Sequence, residues 1–233
     1  MWEPQTVKFF KKNLLRGTDY LDIGAWLGPI AFIAHALGAG KLTLIEPNPV
    51  NFLNLLTTQL NNNLLSNWFL VNACVSKKRG SAAIGPLQNI VDSSSSSNIR
   101  DQNQDGAKII SLKSSDLISE DNNFSLIKLD IEGAENYIVE DLSIFADKQA
   151  AIWLSIHPPF IQNGERFLKK LLSLESDFDF VDEDNIVFDN NILEKWITIE
   201  EEFPSWGTTW GNLFEIGLLP KTCFGFDGKR KEC

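Results

Sequence analysis

Three carboxylates close apolar runs: Asp22 at the end of DYLDI, Glu46 after KLTLI and Asp130 after FSLIKL. Asp22 opens the stretch DIGAWLGP, where Gly24 and Gly28 allow a tight turn and let backbone approach a ligand closely. An acid ahead of such a turn repels a phosphate and accepts hydrogen bonds from an amine, so it suits a cationic amino-acid moiety. The GxxxG spacing also differs from the GxGxxG of nicotinamide and flavin binders, whose second glycine makes room for a pyrophosphate. Glu46 follows about 20 residues later, where a doubly wound nucleotide site places an acid on both ribose hydroxyls.

The third acid belongs to LIKLDIEGAE. Asp130 points from a strand end into the expected cleft, Glu132 lies two residues on, and Gly133 permits a turn. Glu135 is placed to favour the N-terminus of the next helix, a capping role. His157 ends the following apolar run in WLSIHPPF, so strand adjacency brings it near Asp130. A histidine there serves as general base for a substrate hydroxyl, because imidazole titrates near neutrality and a carboxylate can orient it. The bland alternative is a structural histidine before a Pro-Pro turn. Asp130, Glu132 and His157 also make a set of two carboxylates and an imidazole that can hold a divalent ion, although no metal is expected to be required. His35, inside an apolar helix, reads as a satisfied core residue.

These residues need a scaffold that gathers strand ends. TVKFFKKNLL has helical spacing, with the N-terminal helix placed within residues 1–16, and DYLDI is a short strand. PIAFIAHAL follows as a helix with Pro29 in its first turn and Gly38 at its stop. KLTLIEP, PVNFLNLLTTQLNN and WFLVNACV then read as strand, helix and strand. Residues 80–113 differ: SAAIG and AKIISL flank a serine-rich run, an inserted β-hairpin with a polar loop. Alternation resumes with FSLIKLDIE, the helix AENYIVEDLSIF, the strand AAIWLSIHP and the helix ERFLKKLLSLE. An aromatic, strand-like C-terminal part supplies an antiparallel edge, and residues 218–233 read as a tail. Strand-helix alternation implies an α/β, mostly parallel doubly wound sheet in one domain spanning 1–233, with ligands at the carboxyl ends of the strands.

Composition narrows the partners. With 21 basic against 31 acidic residues the formal charge is −10, which opposes attraction to nucleic-acid phosphates or anionic membranes. The longest apolar tract falls short of the roughly 20 residues a membrane span needs, and the N-terminus lacks a secretory pattern. Cys74, Cys223 and Cys233 show no CxxC pairing, so a reducing cytoplasm is expected. Two histidines exclude a histidine-rich metal centre.

Taken together, DIGAWLG, LIEPNP and IKLDIEGAE resemble, in order and spacing, the FkbM family of S-adenosylmethionine-dependent methyltransferases over roughly residues 17–217. IKLDIEGAE is close to that family's IKIDVEGAE signature. The resemblance implies a Rossmann-like methyltransferase fold of seven strands. It makes Asp22, Gly24, Ala25 and Gly28 the loop around the methionine part of the cofactor, Glu46 the ribose ligand and Asn72 a candidate for the adenine edge. Asp130 and His157 then lie near the sulfonium and acceptor as the catalytic pair. Family activity implies O-methylation of a sugar, glycan or other small natural product.

The sequence departs from the family pattern at Trp26, where asparagine is common, and in SLKSSDLI, where Ser115 and Asp116 replace the usual Leu-Asp pair. Both changes bear on cofactor affinity rather than fold. Trp206 and Trp210 in FPSWGTTWGN offer aromatic faces to an acceptor or to the core. Two other functions fit parts of the pattern: a nicotinamide-dependent oxidoreductase, opposed by the missing GxGxxG, and a catalytically silent binding module on the same fold.

Overall fold

The structure, a computed structural model, describes residues 3–64, 66–84, 99–100, 107–132, 134–157, 161, 163–188 and 214–221. The serine-rich run, Gly133, Trp206, Trp210 and residues 222–233 lie outside the described residues.

The main sheet has seven strands: β1 (Asp19–Ile23), β2 (Leu42–Ile45), β3 (Trp68–Val71), β8 (Phe124–Leu129), β9 (Ala151–Ile156), β10 (Phe178–Val181) and β11 (Phe214–Pro220). Their spatial order is β10-β11-β9-β8-β1-β2-β3. From β3 to β9 every pairing is parallel. The antiparallel strand sits one place in from the edge: β11 pairs antiparallel with both β9 and β10, and β10 takes the edge. Paired on both sides, β11 is core, with Leu218 and Leu219 buried. The segment expected as a tail from residue 218 therefore begins inside this strand, since the apolar run GLLP has a sheet to bury it. The chain moves from β1 outward to β2 and β3 in one direction and to β8 and β9 in the other. That reversal opens a crevice at the carboxyl ends of β1 and β8.

The run WFLVNACV serves two sheets. Asn72 separates β3 from β4 (Ala73–Val75), which joins β5 (Gly80–Ile84), β6 (Ile99–Arg100) and β7 (Ala107–Leu112) in a second sheet of order β4-β7-β5-β6. The antiparallel β5 and β7 are the two arms of the expected hairpin, and β4 docks parallel on β7.

Helices α1 (Pro4–Asn13), α2 (Pro29–Ala36) and α3 (Pro49–Asn61) cover one face of the main sheet. Each begins with proline, whose fixed φ and missing N–H suit a first helical turn. Asn48 caps α3 by accepting from the Val50 and Asn51 N–H groups. On the other face the stretch expected as one helix, AENYIVEDLSIF, divides into α4 (Glu135–Ile138), a 3-10 turn (Val139–Asp141) and α5 (Ser143–Ala146). The tighter winding carries the adjacent Ile138 and Val139 into the core together with Leu142 and Phe145. Helix α6 (Gly164–Leu172) completes that layer.

Strand residues alternate between these layers. Leu21, Ile23, Ile127, Leu129, Ile152 and Leu154 face α4 to α6, whereas Tyr20, Leu126 and Trp153 face α1 to α3. The same period of two places Asp22, Lys128 and Ser155 on the second face, one step closer to the carboxyl ends. Gly217 of β11 lets α1 settle there, because a Cβ would lie 2.3 Å from the Phe9 ring.

Candidate active site

Asp22 and Lys128 are register partners on β1 and β8, and Asp130 follows at the end of β8. Lys128 is almost wholly buried, and its Nζ donates to Asp130 Oδ2 at 2.7 Å. Burial opposes the charge on Lys128, but Asp130, Asp22 and Glu3 outweigh it and raise its pKa above the ordinary lysine value. Burial likewise pushes Asp130 up, and Lys128 and His157 more than reverse this, holding its carboxyl below the usual range. Asp22, 1% exposed, has its Oδ1 buried without a hydrogen-bond partner. Burial, only partly offset by Lys128, raises its pKa to about 6.

The first turn of α1 extends this polar layer. Thr6 Oγ1 donates to Glu215 Oε1 (3.0 Å) and accepts from Trp153 Nε1 (3.0 Å). Glu3, at the head of α1, is raised to about 7, chiefly by burial and against the pull of Lys128. Lys128, Glu3, Thr6, Ser155 and Glu215 escaped the sequence reading. The signal was present for Lys128, the one charge within FSLIKL and in phase with Asp130, but its neighbours on α1 and β11 are remote in sequence.

Gly24 is required by strand packing. Its φ is +91°, and a Cβ would lie 1.7 Å from the Asp130 carbonyl oxygen. Asp130 N–H in turn donates to the Ile23 carbonyl at 2.9 Å, so the ends of β1 and β8 close on each other at this glycine. The Gly24 and Ala25 N–H groups both donate to the Ile45 carbonyl (2.9 and 3.0 Å), and Gly28 faces Leu55 of α3. Trp26 has φ +50°, a left-handed conformation that asparagine tolerates better than tryptophan. The departure from the family pattern thus falls on a conformational requirement, and the loop still adopts it.

Glu46 ties the two loops together. Its Oε2 accepts from Trp26 N–H and its Oε1 from Asn48 N–H, both at 2.8 Å. Burial raises its pKa to about 7 against the pull of those donors. Asn72, the hinge between the sheets, spends its Nδ2 on the Glu46 and Pro47 carbonyls (2.8 and 3.2 Å). It therefore fixes the backbone around Glu46.

His157 follows β9 and faces three acids. Its Nδ1 lies 2.7 Å from Glu135 Oε1, while Nε2 lies 3.4 Å from Asp130 Oδ1 and 4.0 Å from Glu132 Oε1. Burial opposes its charge, yet Glu135, Asp130 and Glu132 raise its pKa to about 9. At that value the imidazole holds its proton at neutral pH, unlike a base poised near 7. Glu135, expected as a cap, is fully buried and makes no side-chain cap; it orients the imidazole. His35 approaches Asn67 and stacks edge-on with Trp68, apart from the site. Asp116 accepts from Lys113 N–H and pairs with Arg79, a structural role.

The carboxyl ends of β1, β2, β8 and β9 thus bring together Asp22, Glu46, Asp130 and His157. A seven-stranded sheet of this order, with the site at that crevice, defines the molecule as a Rossmann-like methyltransferase fold. Residues 22–184 match the methyltransferase FkbM domain, and the chain belongs to that family.

Solved structures share the fold. Methyltransferase FkbM from Methylobacillus flagellatus KT superposes with a TM-score of 0.52 at 17% identity, over 76% of this chain and 44% of that one. This chain thus spans less than half of that relative's length. A putative rRNA-methylase from Clostridium thermocellum gives 0.54 at 10% identity, covering 93% of both chains. An rRNA methylase from Streptococcus thermophilus gives 0.50 at 9%, over 94% of this chain and 98% of that one. No curated protein sequence matches. No described helix is long and apolar enough to cross a membrane.

Proposed function

We propose that this chain transfers the methyl group of S-adenosylmethionine to a hydroxyl oxygen of a sugar, glycan or other small natural product. The observation that carries this reading is the buried, unpartnered Asp22 Oδ1 beside the Glu46-braced loop, at the crevice of an FkbM-family fold. An orphaned carboxylate oxygen suits the ammonium of a methionine moiety. Glu46, after taking its two backbone donors and the Asn51 side chain, retains lone-pair capacity for a ribose hydroxyl. When bound, the cofactor supplies a methyl group already activated by its sulfonium.

The residues of the chain then align the acceptor. Asp130, kept ionised by Lys128, accepts the hydrogen bond of the attacking hydroxyl at Oδ1 and receives its proton as the ether forms. His157 holds the acceptor side of the cleft with Nε2, its ring fixed through Nδ1 by Glu135. A formal charge of −10 argues for a small neutral or cationic acceptor, although two structural neighbours are named as rRNA methylases.

Calorimetric titration with S-adenosylhomocysteine, in parallel with a nicotinamide dinucleotide, tests the cofactor. Saturable binding of the first alone, weakened at least tenfold by Glu46→Ala, is expected. Binding of the dinucleotide alone would point to an oxidoreductase, and binding of neither to a silent module. Once an acceptor is in hand, Asp130→Asn is expected to depress turnover by 10²-fold or more on the order of general-base losses, with little change in cofactor affinity.

A further inference from the structure

We propose that Asp130, Glu132 and His157 form a binding site for one divalent metal cation, with Glu135 as the buried carboxylate that orients its histidine ligand. Each of the three residues offers one ligand atom, and these atoms lie within 4.8 Å of one another. An octahedral ion with metal-ligand distances of about 2.1 Å spaces its ligands by about 3 Å when adjacent and about 4.2 Å when opposite. The 3.4 Å and 4.0 Å separations from Nε2 to the two carboxylates fall in that range.

The arrangement around the donors is that of a built site. Glu135 takes the Nδ1 side of the imidazole, which leaves Nε2 as the atom facing Asp130 and Glu132. A carboxylate on the far nitrogen of a ligating histidine is the usual means of fixing its tautomer and raising its basicity. Lys128 occupies only Oδ2 of Asp130 and leaves Oδ1 toward the histidine. An independent observation is the state of Glu135: it is wholly buried, aimed at His157, and its Oε2 has no hydrogen-bond partner. A buried carboxylate in that condition calls for positive charge close by, which the protonated imidazole of His157 supplies and which a cation on Nε2 would supply once that nitrogen gives up its proton. Three protein donors leave the remaining positions of a six-coordinate ion open, and mixed oxygen and nitrogen donors suit a first-row divalent cation such as Mn2+.

The use of the open positions rests on the methyl-transfer reading, whereas the binding itself does not. There the ion would hold the acceptor's hydroxyl oxygen in place of the direct hydrogen bond to Asp130 and lower its pKa, the proton passing to solvent, and would select acceptors whose hydroxyl can reach a metal ion.

The test is a titration of the purified full chain with Mn2+ alone, followed by electron paramagnetic resonance, with pulsed detection of nitrogen coupling at saturation. One Mn2+ per chain with an imidazole nitrogen coupling is expected. Glu132→Gln and His157→Ala should each weaken binding at least tenfold, and Glu135→Gln by about 10- to 100-fold. Absence of saturable Mn2+ binding, absence of nitrogen coupling, or equal binding by Glu132→Gln and the parent overturns the site. The wild-type spectrum decides even where a variant fails to fold. S-adenosylhomocysteine titration of the same preparations separates the two proposals: metal without cofactor binding leaves the site standing and removes the methyltransferase reading, and the converse removes only the site.

Discussion

The two faces of the main sheet solve opposite problems with the same strands. Toward α4 to α6, β1, β8 and β9 present Leu21, Ile23, Ile127, Leu129, Ile152 and Leu154, all of them apolar. Toward α1 the same strands present Asp22, Lys128 and Ser155, joined by Glu3, Thr6 and Glu215. Burying charge costs free energy unless it is paired and hydrogen-bonded, and here one lysine faces several carboxylates. The first face supplies cohesion. The second spends part of that cohesion on a carboxylate-rich floor beneath the crevice.

The largest expected break in this comparison lies within two neighbouring residues of β8. Lys128→Met leaves Asp22 without its cation and Asp130 with His157 alone, and is expected to destabilise by about 3–5 kcal/mol. Ile127→Val, pointing to the first face, should cost about 0.5–1.5 kcal/mol. Denaturant titration at pH 7 measures both. Repeating it near pH 5 should shrink the Lys128 effect, because Asp22 is then mostly protonated, and leave that of Ile127 unchanged.

Asp22 sharpens the contrast through pH. Its folded pKa of about 6 stands above the ordinary value of 3.8, so between those values the native state binds more protons than the unfolded one. Its contribution to stability therefore falls as pH rises through that window and stays low above it. Asp22→Asn should be more stable than the parent at pH 8 by about 2 kcal/mol relative to the difference at pH 4, while binding S-adenosylhomocysteine more weakly. Equal pH slopes for the two proteins would contradict the cost assigned to this carboxylate.

Glu46 gives a smaller effect read in binding. Its ionised form is the better acceptor for a ribose hydroxyl, and its pKa is about 7. Affinity for S-adenosylhomocysteine should therefore fall as pH drops from 8 to 6, by about tenfold at most, and Glu46→Gln should flatten the profile. The smallest change is expected from Thr6→Val. It removes the hydrogen bonds to Glu215 and from Trp153, yet Trp153 Nε1 keeps Glu215 within 3.3 Å, so a loss of about 1 kcal/mol is expected in thermal or denaturant unfolding.

Much of the fold was legible because its signals are local. Apolar runs ending in Asp22, Glu46 and Asp130, each followed by a turn and a proline- or acid-headed helix, mark strand-helix units, and their order implies the parallel sheet. The placement of β11 was not legible: whether an apolar run ends a sheet or inserts into it depends on which neighbours have unpaired edges. The division of AENYIVEDLSIF was hidden for a related reason, since helical spacing does not reveal that adjacent Ile138 and Val139 both meet the same core.

At the site, sequence by itself determined which side chains stand at strand ends, because the strand period of two and the turn residues assign them there. It also supplied the family pattern that links them to methyl transfer. Tertiary structure alone decided how they are charged and held. Lys128 becomes the counter-ion of Asp130 and Asp22, Glu135 becomes the histidine's anchor, and α1 brings Glu3 and Thr6 over the floor. Hydrogen bonds and burial act through distances of a few ångströms, and chain separations of 22 residues for Glu135 and His157, or 209 for Thr6 and Glu215, are closed only when the sheet assembles.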